Sequence, residues 1–253
     1  MKKAIYLLLS ILIFSACKPD KYKNLDDGLY AEIQTNKGDI LLELYPEDVP
    51  MTVANFTSLA DGTNTRLLDS LKGKNFYEGI IFHRVVNNFV IQGGGFTPEG
   101  RKNPGFVFGD EFTKNEDGSL KYKHDDVGVL SMANGGPGSN NSQFFITHRP
   151  IPHLDNRHSV FGKTIVSKEQ LAILQTANKD TLQLKKAIDS TRMAVVSKIV
   201  QGDTIHAVNI IKIGSKANSF DATTIFDREL EKLSVSEKER KAAETKADEA
   251  RYS

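Results

Sequence analysis

The feature that most limits the fold of this chain is a series of short runs of β-favouring residues between residues 80 and 161. Glycine, proline and asparagine separate these runs from one another. Many short strands joined by long turns are typical of a β-sandwich or a closed barrel. The sequence therefore predicts a mainly β domain, with strands at residues 80–82, 89–91, 106–108, 144–146 and 160–161.

Other predicted elements flank this region. Residues 29–35 and 39–44 stand on either side of the turn signal Asn36-Lys37-Gly38, which predicts a β-hairpin. Residues 204–213 alternate between apolar and polar positions and predict a final strand. Residues 165–192 are charged and helix-favouring, so we expect a helical insertion there.

One helix is expected directly after the hairpin. Asp48 is placed to cap it, Pro50 suits its first turn, and Gly62 follows its last turn. Its apolar face is expected to consist of Val53, Phe56, Leu59 and Ala60.

The composition is that of an ordinary soluble domain. A chain of 253 residues is long enough for one substantial core with extensions, and 39% of the residues are hydrophobic while 26% are charged. The formal net charge is +1. A balanced charge gives no electrostatic reason to expect nucleic acid or an acidic surface as a partner.

The first residues have the pattern of an export signal. Lys2 and Lys3 precede an apolar run over residues 4–14, and two small residues follow it. The next residue, Cys17, is the only cysteine and cannot form an internal disulfide. Its position resembles the lipidated cysteine of bacterial lipoproteins, which are attached to a membrane by acyl chains. The alternatives are an uncleaved anchor, or a plain signal with a chance cysteine.

These patterns divide the chain into four parts. Residues 1–16 are the predicted signal peptide, residues 17–27 are a polar tether, and residues 28–214 are the folded domain with its insertion. Residues 215–253 form a charged tail with a few apolar residues at helical spacing. We expect this tail to be a solvated helix or a frayed end.

Two stretches describe a groove that carries one cation. Residues 82–94 place Arg84 and Gln92 on two short strands joined by a turn at Asn87-Asn88. Residues 130–146 add amides and aromatic side chains. These stretches contain no obvious nucleophile or metal cluster, so the groove suits a reaction in which no bond to the substrate is made or broken.

Rotation about a prolyl peptide bond is such a reaction. The peptide bond resists rotation because its nitrogen shares a lone pair with the carbonyl, which gives a barrier of roughly 18–20 kcal/mol. A guanidinium aimed at the prolyl nitrogen would localise that lone pair as the bond twists, and no general base is required. The alternative for Arg84 is an ordinary surface position on a strand.

A metal site is the competing interpretation of His148, His153 and His158, which are spaced five residues apart. Pro150 and Pro152 interrupt this segment, and no cysteine or tight carboxylate pair joins the histidines. We therefore expect neither a metal nor a cofactor.

Four blocks of the sequence, in order, resemble the signatures of cyclophilin-type peptidyl-prolyl cis-trans isomerases. They are Phe82-His83-Arg84 with Phe89-Val90-Ile91-Gln92-Gly93-Gly94, Ser131-Met132-Ala133-Asn134, Ser142-Gln143-Phe144-Phe145, and His158-Ser159-Val160-Phe161-Gly162-Lys163. The resemblance covers about residues 28–163 and resumes over residues 193–213. It implies a closed eight-stranded antiparallel β-barrel capped by two helices, with a proline groove on the outside of the barrel.

The resemblance also implies roles for individual residues. Arg84 matches the catalytic position. The positions that match the family's proline pocket are Phe89, Val90, Phe145, Leu154 and His158. The positions that match its backbone-binding residues are Gln92, Ala133, Asn134 and Gln143.

The chain departs from the family pattern at two of the binding positions. His153 stands where many eukaryotic members carry tryptophan, and we expect it to contact the substrate there. Because that tryptophan donates a hydrogen bond to the cyclic peptide cyclosporin, inhibition by cyclosporin is expected to be weak. Val90 replaces the more usual methionine, which reshapes the pocket but keeps it apolar.

The main hypothesis is therefore a monomeric prolyl isomerase that acts on proline-containing segments of exported proteins in the bacterial cell envelope. Its attachment to a membrane is expected through the lipid anchor only. The rival hypothesis is a binding module that grips proline-containing segments as a chaperone or assembly factor, with little turnover.

Overall fold

The fold is described from a computed structural model, which covers residue 22 and residues 24–235. The strands are β1 (Gly28–Thr35), β2 (Gly38–Leu44), β3 (Arg84–Val86), β4 (Val90–Gly93), β5 (Phe96–Thr97), β6 (Gly100–Arg101), β7 (Val129–Met132), β8 (Phe144–Thr147), β9 (Val160–Thr164) and β10 (Ile205–Ile213). Eight of them form one curled antiparallel sheet in the order β10-β1-β2-β9-β7-β8-β4-β3, while β5 and β6 form a separate hairpin. The prediction of a mainly β fold with eight antiparallel strands is confirmed.

The hydrogen-bonded ladder of this sheet has two edges, β10 and β3. Outside the ladder, the segment before β3 is hydrogen-bonded to the first residue of β10 and to the segment before it. The N–H of Phe82 donates to the carbonyl of Asp203 (2.9 Å), and the N–H of Ile205 donates to the carbonyl of Ile80 (2.7 Å). The two edges of the curled sheet therefore lie next to one another at this end.

Two of the predicted strands, the first and third of the series, are single bridges instead. Ile81 pairs only with Thr204, and Phe108 pairs only with Asn140. Gly105, with a φ of 98°, bends the chain just before the second of these segments. An apolar run of only three residues fits a buried loop as well as a strand, so the sequence did not distinguish the two.

The helices confirm the predicted helix after the hairpin and the predicted helical insertion. They are α1 (Pro50–Asp61), α2 (Lys168–Ala177), α3 (Thr181–Arg192) and α4 (Gly214–Asn218), and residues 222–235 are also helical.

The start of α1 differs from the sequence prediction. Asp48 does not cap the helix, because its carboxylate accepts a hydrogen bond from Lys121 Nζ at 2.7 Å. The N–H groups of Met51 and Thr52 donate instead to the carboxylate of Glu111, at 3.0 and 2.7 Å. A carboxylate is favourable at the positive end of a helix dipole. This contact fastens the segment around Glu111 to the helix.

The core fills the concave side of the sheet. Val85, Ile91, Ile146 and Leu130, from β3, β4, β8 and β7, point into it together with the buried side chains of α1. Successive residues of a strand point to opposite faces. The residues directly before and after each of these four in its strand therefore lie on the convex, outer face of the sheet.

The described part of the tail is packed against the domain. Phe226 is 1% exposed, and its ring centroid lies 5.4 Å from that of Phe106 and 5.7 Å from that of Phe108. Asp227 pairs with Arg66 at 3.0 Å. The expectation of a solvated tail is therefore wrong for these residues, because an apolar side chain of this helix completes the core.

The predicted signal peptide and Cys17 lie outside the described residues. Within residues 22 and 24–235, no helix has both the length and the apolar character needed to cross a bilayer.

Candidate active site

Four strands carry a row of side chains across the outer face of the sheet. Arg84 on β3 lies opposite Gln92 on β4, and Gln92 lies opposite Phe145 on β8. Phe145 in turn lies opposite Ser131 on β7. Directly opposite residues in an antiparallel sheet share a face and contact one another. The register therefore brings the predicted cation, amide and aromatic ring together.

Arg84 is an exposed side chain at one end of this row. Its Nη1 donates to Gln92 Oε1 at 3.4 Å, and its Cζ lies 5.8 Å from the centre of the Phe89 ring. A guanidinium has five N–H donors, so most of them stay open. No carboxylate in the described part of the chain forms an ion pair with Arg84, and its charge is therefore not neutralised locally.

Two glutamine amides form the wall next to Arg84. Gln92 Nε2 donates to Gln143 Oε1 at 3.1 Å. Gly95 makes this arrangement possible, because a Cβ atom at that residue would lie 2.5 Å from Gln143 Cγ. The amide wall thus depends on a residue without a side chain.

A small apolar cluster, separate from the core, lies beside the amides. Its members are Val90, Ala133, Phe145 and Ile151, with Phe89 and Leu154 partly buried against them. All of these except Ile151 were predicted from the sequence as substrate-binding residues. Ile151 is fully buried. The only sequence signal for it is a large apolar residue between two prolines, in an otherwise polar stretch.

Two histidines border this cluster. His153 is exposed, and its ring is nearly parallel to that of Phe89 at a centroid distance of 6.0 Å. His158 meets Phe145 edge-on at 5.5 Å, and its Nδ1 lies 2.9 Å from the carbonyl oxygen of Met132. Burial lowers the pKa of His158, although the carbonyl of Met132 acts in the opposite direction. The His158 ring is therefore neutral near pH 7.

Asn134 lies in a loop whose internal hydrogen bonds occupy its side chain. Its Nδ2 donates to the carbonyl of Arg157 (2.9 Å) and to Asn140 Oδ1 (3.1 Å). Asp110, which the sequence did not single out, accepts hydrogen bonds from Asn140 Nδ2 (2.8 Å) and from the N–H of Gly138 (2.9 Å). The Asn134 amide therefore shapes the loop, and its main chain is what remains for a substrate.

A buried chain of hydrogen bonds lies beneath Phe145. His124 Nδ1 is 2.8 Å from Asp155 Oδ1, and its Nε2 is 3.0 Å from Ser131 Oγ. The His124 ring stacks on Phe145 at 5.8 Å. Burial lowers the pKa of His124, and the Asp155 carboxylate only partly opposes this effect.

Serine, histidine and aspartate are the residue types of a nucleophilic triad, but the position of these three residues gives them a structural role. Ser131 is 0% exposed, and its hydroxyl also lies 3.1 Å from the carbonyl oxygen of Ser159. A substrate cannot reach a serine in this position. The chain of hydrogen bonds therefore supports the aromatic floor of the groove.

The three histidines at five-residue spacing do not converge. His153 contacts Phe89 and His158 contacts Phe145, while the main chain of His148 is bonded to the carbonyl of Phe89. Across the described residues, no three His, Cys, Asp or Glu side chains are grouped in a way that could hold a metal ion.

Comparison with known proteins places this groove in a family. The sequence profile of the family described as cyclophilin type peptidyl-prolyl cis-trans isomerase/CLD matches residues 30–212. This range is more than half of the chain and contains all the groove residues described above. The chain belongs to this family. As a cyclophilin, it is an enzyme of the isomerase class, which agrees with a groove that offers no accessible nucleophile.

Named relatives support the assignment of this cyclophilin. It is 43% identical over 146 residues to peptidyl-prolyl cis-trans isomerase A of Mycobacterium tuberculosis, which covers 56% of this chain and 77% of the relative. It is 40% identical over 152 residues to peptidyl-prolyl cis-trans isomerase ppi1 of Schizosaccharomyces pombe, which covers 59% and 88% of the two chains.

Among solved structures, a cyclophilin type peptidyl-prolyl cis-trans isomerase of Cryptosporidium parvum is similar to this cyclophilin. The sequence identity is 28% and the TM-score is 0.45, and the match covers 74% of this chain and 97% of that one.

Proposed function

We propose that this cyclophilin isomerises Xaa-Pro bonds in proline-containing polypeptides, and that Arg84 is its catalytic residue. The observation that carries the proposal is the row across β3, β4 and β8. It sets a guanidinium that pairs with no carboxylate among the described residues directly beside the Gln92 amide and the apolar cluster around Phe145.

Catalysis requires a hydrogen-bond donor whose interaction with the prolyl nitrogen becomes stronger as the peptide bond rotates. In the planar states the lone pair of the prolyl nitrogen is delocalised into the carbonyl, whereas in the twisted state it is localised on nitrogen. A donor from Arg84 binds a localised lone pair more strongly than a delocalised one. An interaction that is stronger in the transition state than in the ground state accelerates the reaction.

The remaining groove residues would hold the substrate while its bond rotates. The proline ring lies over the Phe145 ring, between the side chains of Val90 and Leu154. The Gln92 and Gln143 amides and the main chain of Ala133 and Asn134 bind the flanking peptide groups. His153 and His158 border the ring on its open side. With one segment of the peptide held, the other is free to turn.

Turnover of an Ala-Pro peptide by Arg84→Ala tests the mechanism. Loss of one preorganised donor costs about 10²–10³-fold in rate, so kcat/KM is expected to fall by about that factor. Arg84→Lys keeps the charge but loses the planar fork, and an intermediate activity is expected. Arg228→Ala, at an exposed arginine whose partner is Glu229, is the matched control.

Two results would decide against the proposal. Equal catalysis by the parent and Arg84→Ala would show that the arginine mechanism is wrong. If neither protein catalyses but both bind the peptide, the domain is a binding module for proline-containing segments.

We also propose that the curled sheet is a closed barrel and that the protein works as a monomer. The hydrogen bonds of Phe82 and Ile205 across the two sheet edges support closure. Hydrogen exchange tests it: these two amides are expected to be as protected as those within β1, and fast exchange would indicate an open edge. A sedimentation mass of two chains would contradict the monomer.

The further proposal concerns location: an exported protein attached to a membrane through a lipid on Cys17. Its support is the basic, apolar and small-residue pattern before the only cysteine. Labelling with radioactive palmitate is expected for the parent and not for Cys17→Ala. Label that persists in Cys17→Ala would refute the lipid anchor.

A further inference from the structure

The helical insertion carries the two most exposed large apolar side chains of the described residues. Ile173 on α2 is 67% exposed and Leu182 on α3 is 62% exposed, the two highest values among the exposed large hydrophobic residues of the described chain. Neither helix has a fully buried residue. Single exposed apolar residues are common on protein surfaces, but two on one helical hairpin suggest a contact surface.

An apolar cleft of about 490 Å³ lies beneath the same hairpin. Leu171, Leu184 and Ile188 line it from the helices, and Ile165 and Val166 line it from the segment that follows β9. From Lys168 to Arg192 the sequence has five basic and three acidic residues. Asp26 and Asp126 pair with Lys168, Lys185 and Arg192 and offset this excess, so the open apolar surface is the feature that suits contact with a lipid surface.

The tether ends at this hairpin. Asn24 is hydrogen-bonded to Glu169, and Asp26 forms an ion pair with Lys168, so the first described residues touch the first turn of α2. Leu25 is buried in a cluster on the outer face of β1 and β10. The point at which the chain enters the domain is therefore fixed next to α2.

We propose that the hairpin of α2 and α3 is the face of the domain that rests on the lipid surface. This proposal rests on the lipid anchor proposed for Cys17. Six residues separate Cys17 from Asn24, and the seven Cα–Cα steps between them span at most about 25 Å when fully extended. So short a tether keeps the hairpin at a high local concentration near the bilayer. Contacts between the hairpin and the lipid that are too weak to bind an untethered protein are then sufficient to hold the hairpin on the bilayer.

This orientation turns the catalytic groove away from the lipid. The tether ends on the outer face of β1, while Phe145 lies on the outer face of β8, and four steps in the strand order separate these strands. In the closed barrel proposed above, four of eight steps correspond to half of the circumference. The outer face at the end of the tether therefore points away from the groove, so substrates approach the groove from the side of the domain opposite the tether.

A single introduced tryptophan tests the proposal, because the sequence contains none. The full-length protein is reconstituted into vesicles of phosphatidylethanolamine and phosphatidylglycerol with brominated acyl chains, which quench tryptophan on contact. Leu182→Trp reports on the hairpin. Val107→Trp is the control, since Val107 is 56% exposed and adjoins Phe108, which pairs with Asn140 of the groove loop.

The expected result is a blue-shifted and quenched emission for Leu182→Trp and an unchanged emission for Val107→Trp. Ile173→Trp is expected to behave as Leu182→Trp does. If the protein floats with the vesicles but both hairpin tryptophans stay unquenched, or if Val107→Trp is quenched equally, the proposed orientation is wrong. If the protein does not float with the vesicles, and Cys17→Ala behaves identically, the anchor itself is refuted.

Discussion

Replacing Gly95 by alanine is expected to damage the active site without unfolding the domain. Gly95 is buried and needs no positive φ, so the backbone accepts alanine. The new Cβ atom would lie 2.5 Å from Cγ, 2.6 Å from Cδ and 2.8 Å from Nε2 of Gln143. Real carbon atoms do not approach so closely, and the Gln143 side chain must leave its position.

The size of the effect follows from what Gln143 loses. Its hydrogen bond with Gln92 contributes about 0.5–1.5 kcal/mol, and a displaced rotamer costs about 0.5–1.5 kcal/mol more. Together these losses amount to about 1–3 kcal/mol. Those losses lower the free energy of unfolding. In the reaction the displaced amide also loses its own hydrogen bond to the substrate, worth about 0.5–1.5 kcal/mol, so kcat/KM is expected to fall by a factor of about 2 to 12.

The assay is isomerisation of an Ala-Pro peptide, with thermal unfolding measured on the same preparations. Gly135→Ala is the matched control, because a Cβ atom there meets nothing closer than Ser139 Oγ at 3.7 Å. Gly135→Ala is expected to keep kcat/KM within about 2-fold, since its Cβ atom displaces nothing. A folded Gly95→Ala protein with full activity would refute the role of Gln143, and an equal loss in both variants would refute the steric argument.

The other predictions concern the tail, the groove loop and pH. Phe226→Ala is expected to lower the free energy of unfolding by about 3–5 kcal/mol in urea titrations, whereas Leu68→Ala, at an exposed residue, changes it by less than about 0.5 kcal/mol. Asp110→Ala removes hydrogen bonds that hold the loop of Asn134. It is expected to raise KM more than it lowers kcat, because the loop then positions the substrate less well while Arg84 stays in place. Stability is expected to fall as the pH drops below about 6.5, because the unfolded chain then binds protons that four partly or fully buried histidines of the folded chain do not bind. Melting temperatures between pH 5 and 8 check the sign. The histidines whose pKa burial lowers are His83, His124, His148 and His158.

Sequence reasoning was most successful where the structural cause is local. The hairpin of β1 and β2 was predictable because Gly38, with a φ of 119°, ends a tight turn between two apolar runs. The cap of α1 was not predictable. Asp48 stands at the usual place, but the N–H groups of the helix bind Glu111, which is about 60 residues away in the chain. Only the folded chain brings these groups together.

The same distinction applies to the active site. Arg84, Gln92 and Phe145 were predicted as site residues because they lie within contiguous motifs whose residue types suit the reaction, and the strand register places them side by side. Asp110 and His124 were not predicted. Each acts on a groove residue that belongs to another segment, and aspartate and histidine have many roles that a sequence alone does not distinguish. The packed position of Phe226 was hidden for a similar reason: the charged residues around it indicate a solvated helix.

The pairing of β1 with β10 also determines when this chain can finish folding. β1 leaves the ribosome early, but its partner Ile205–Ile213 lies some 170 residues further on, and Phe226 comes later still. At about 5–20 residues per second, synthesis of the intervening chain takes roughly ten to forty seconds. Throughout that interval one side of β1 has no strand to pair with. The native domain therefore forms only after β10 and Phe226 have been made, and any cellular factor that acts on the unfolded chain has that interval in which to bind it.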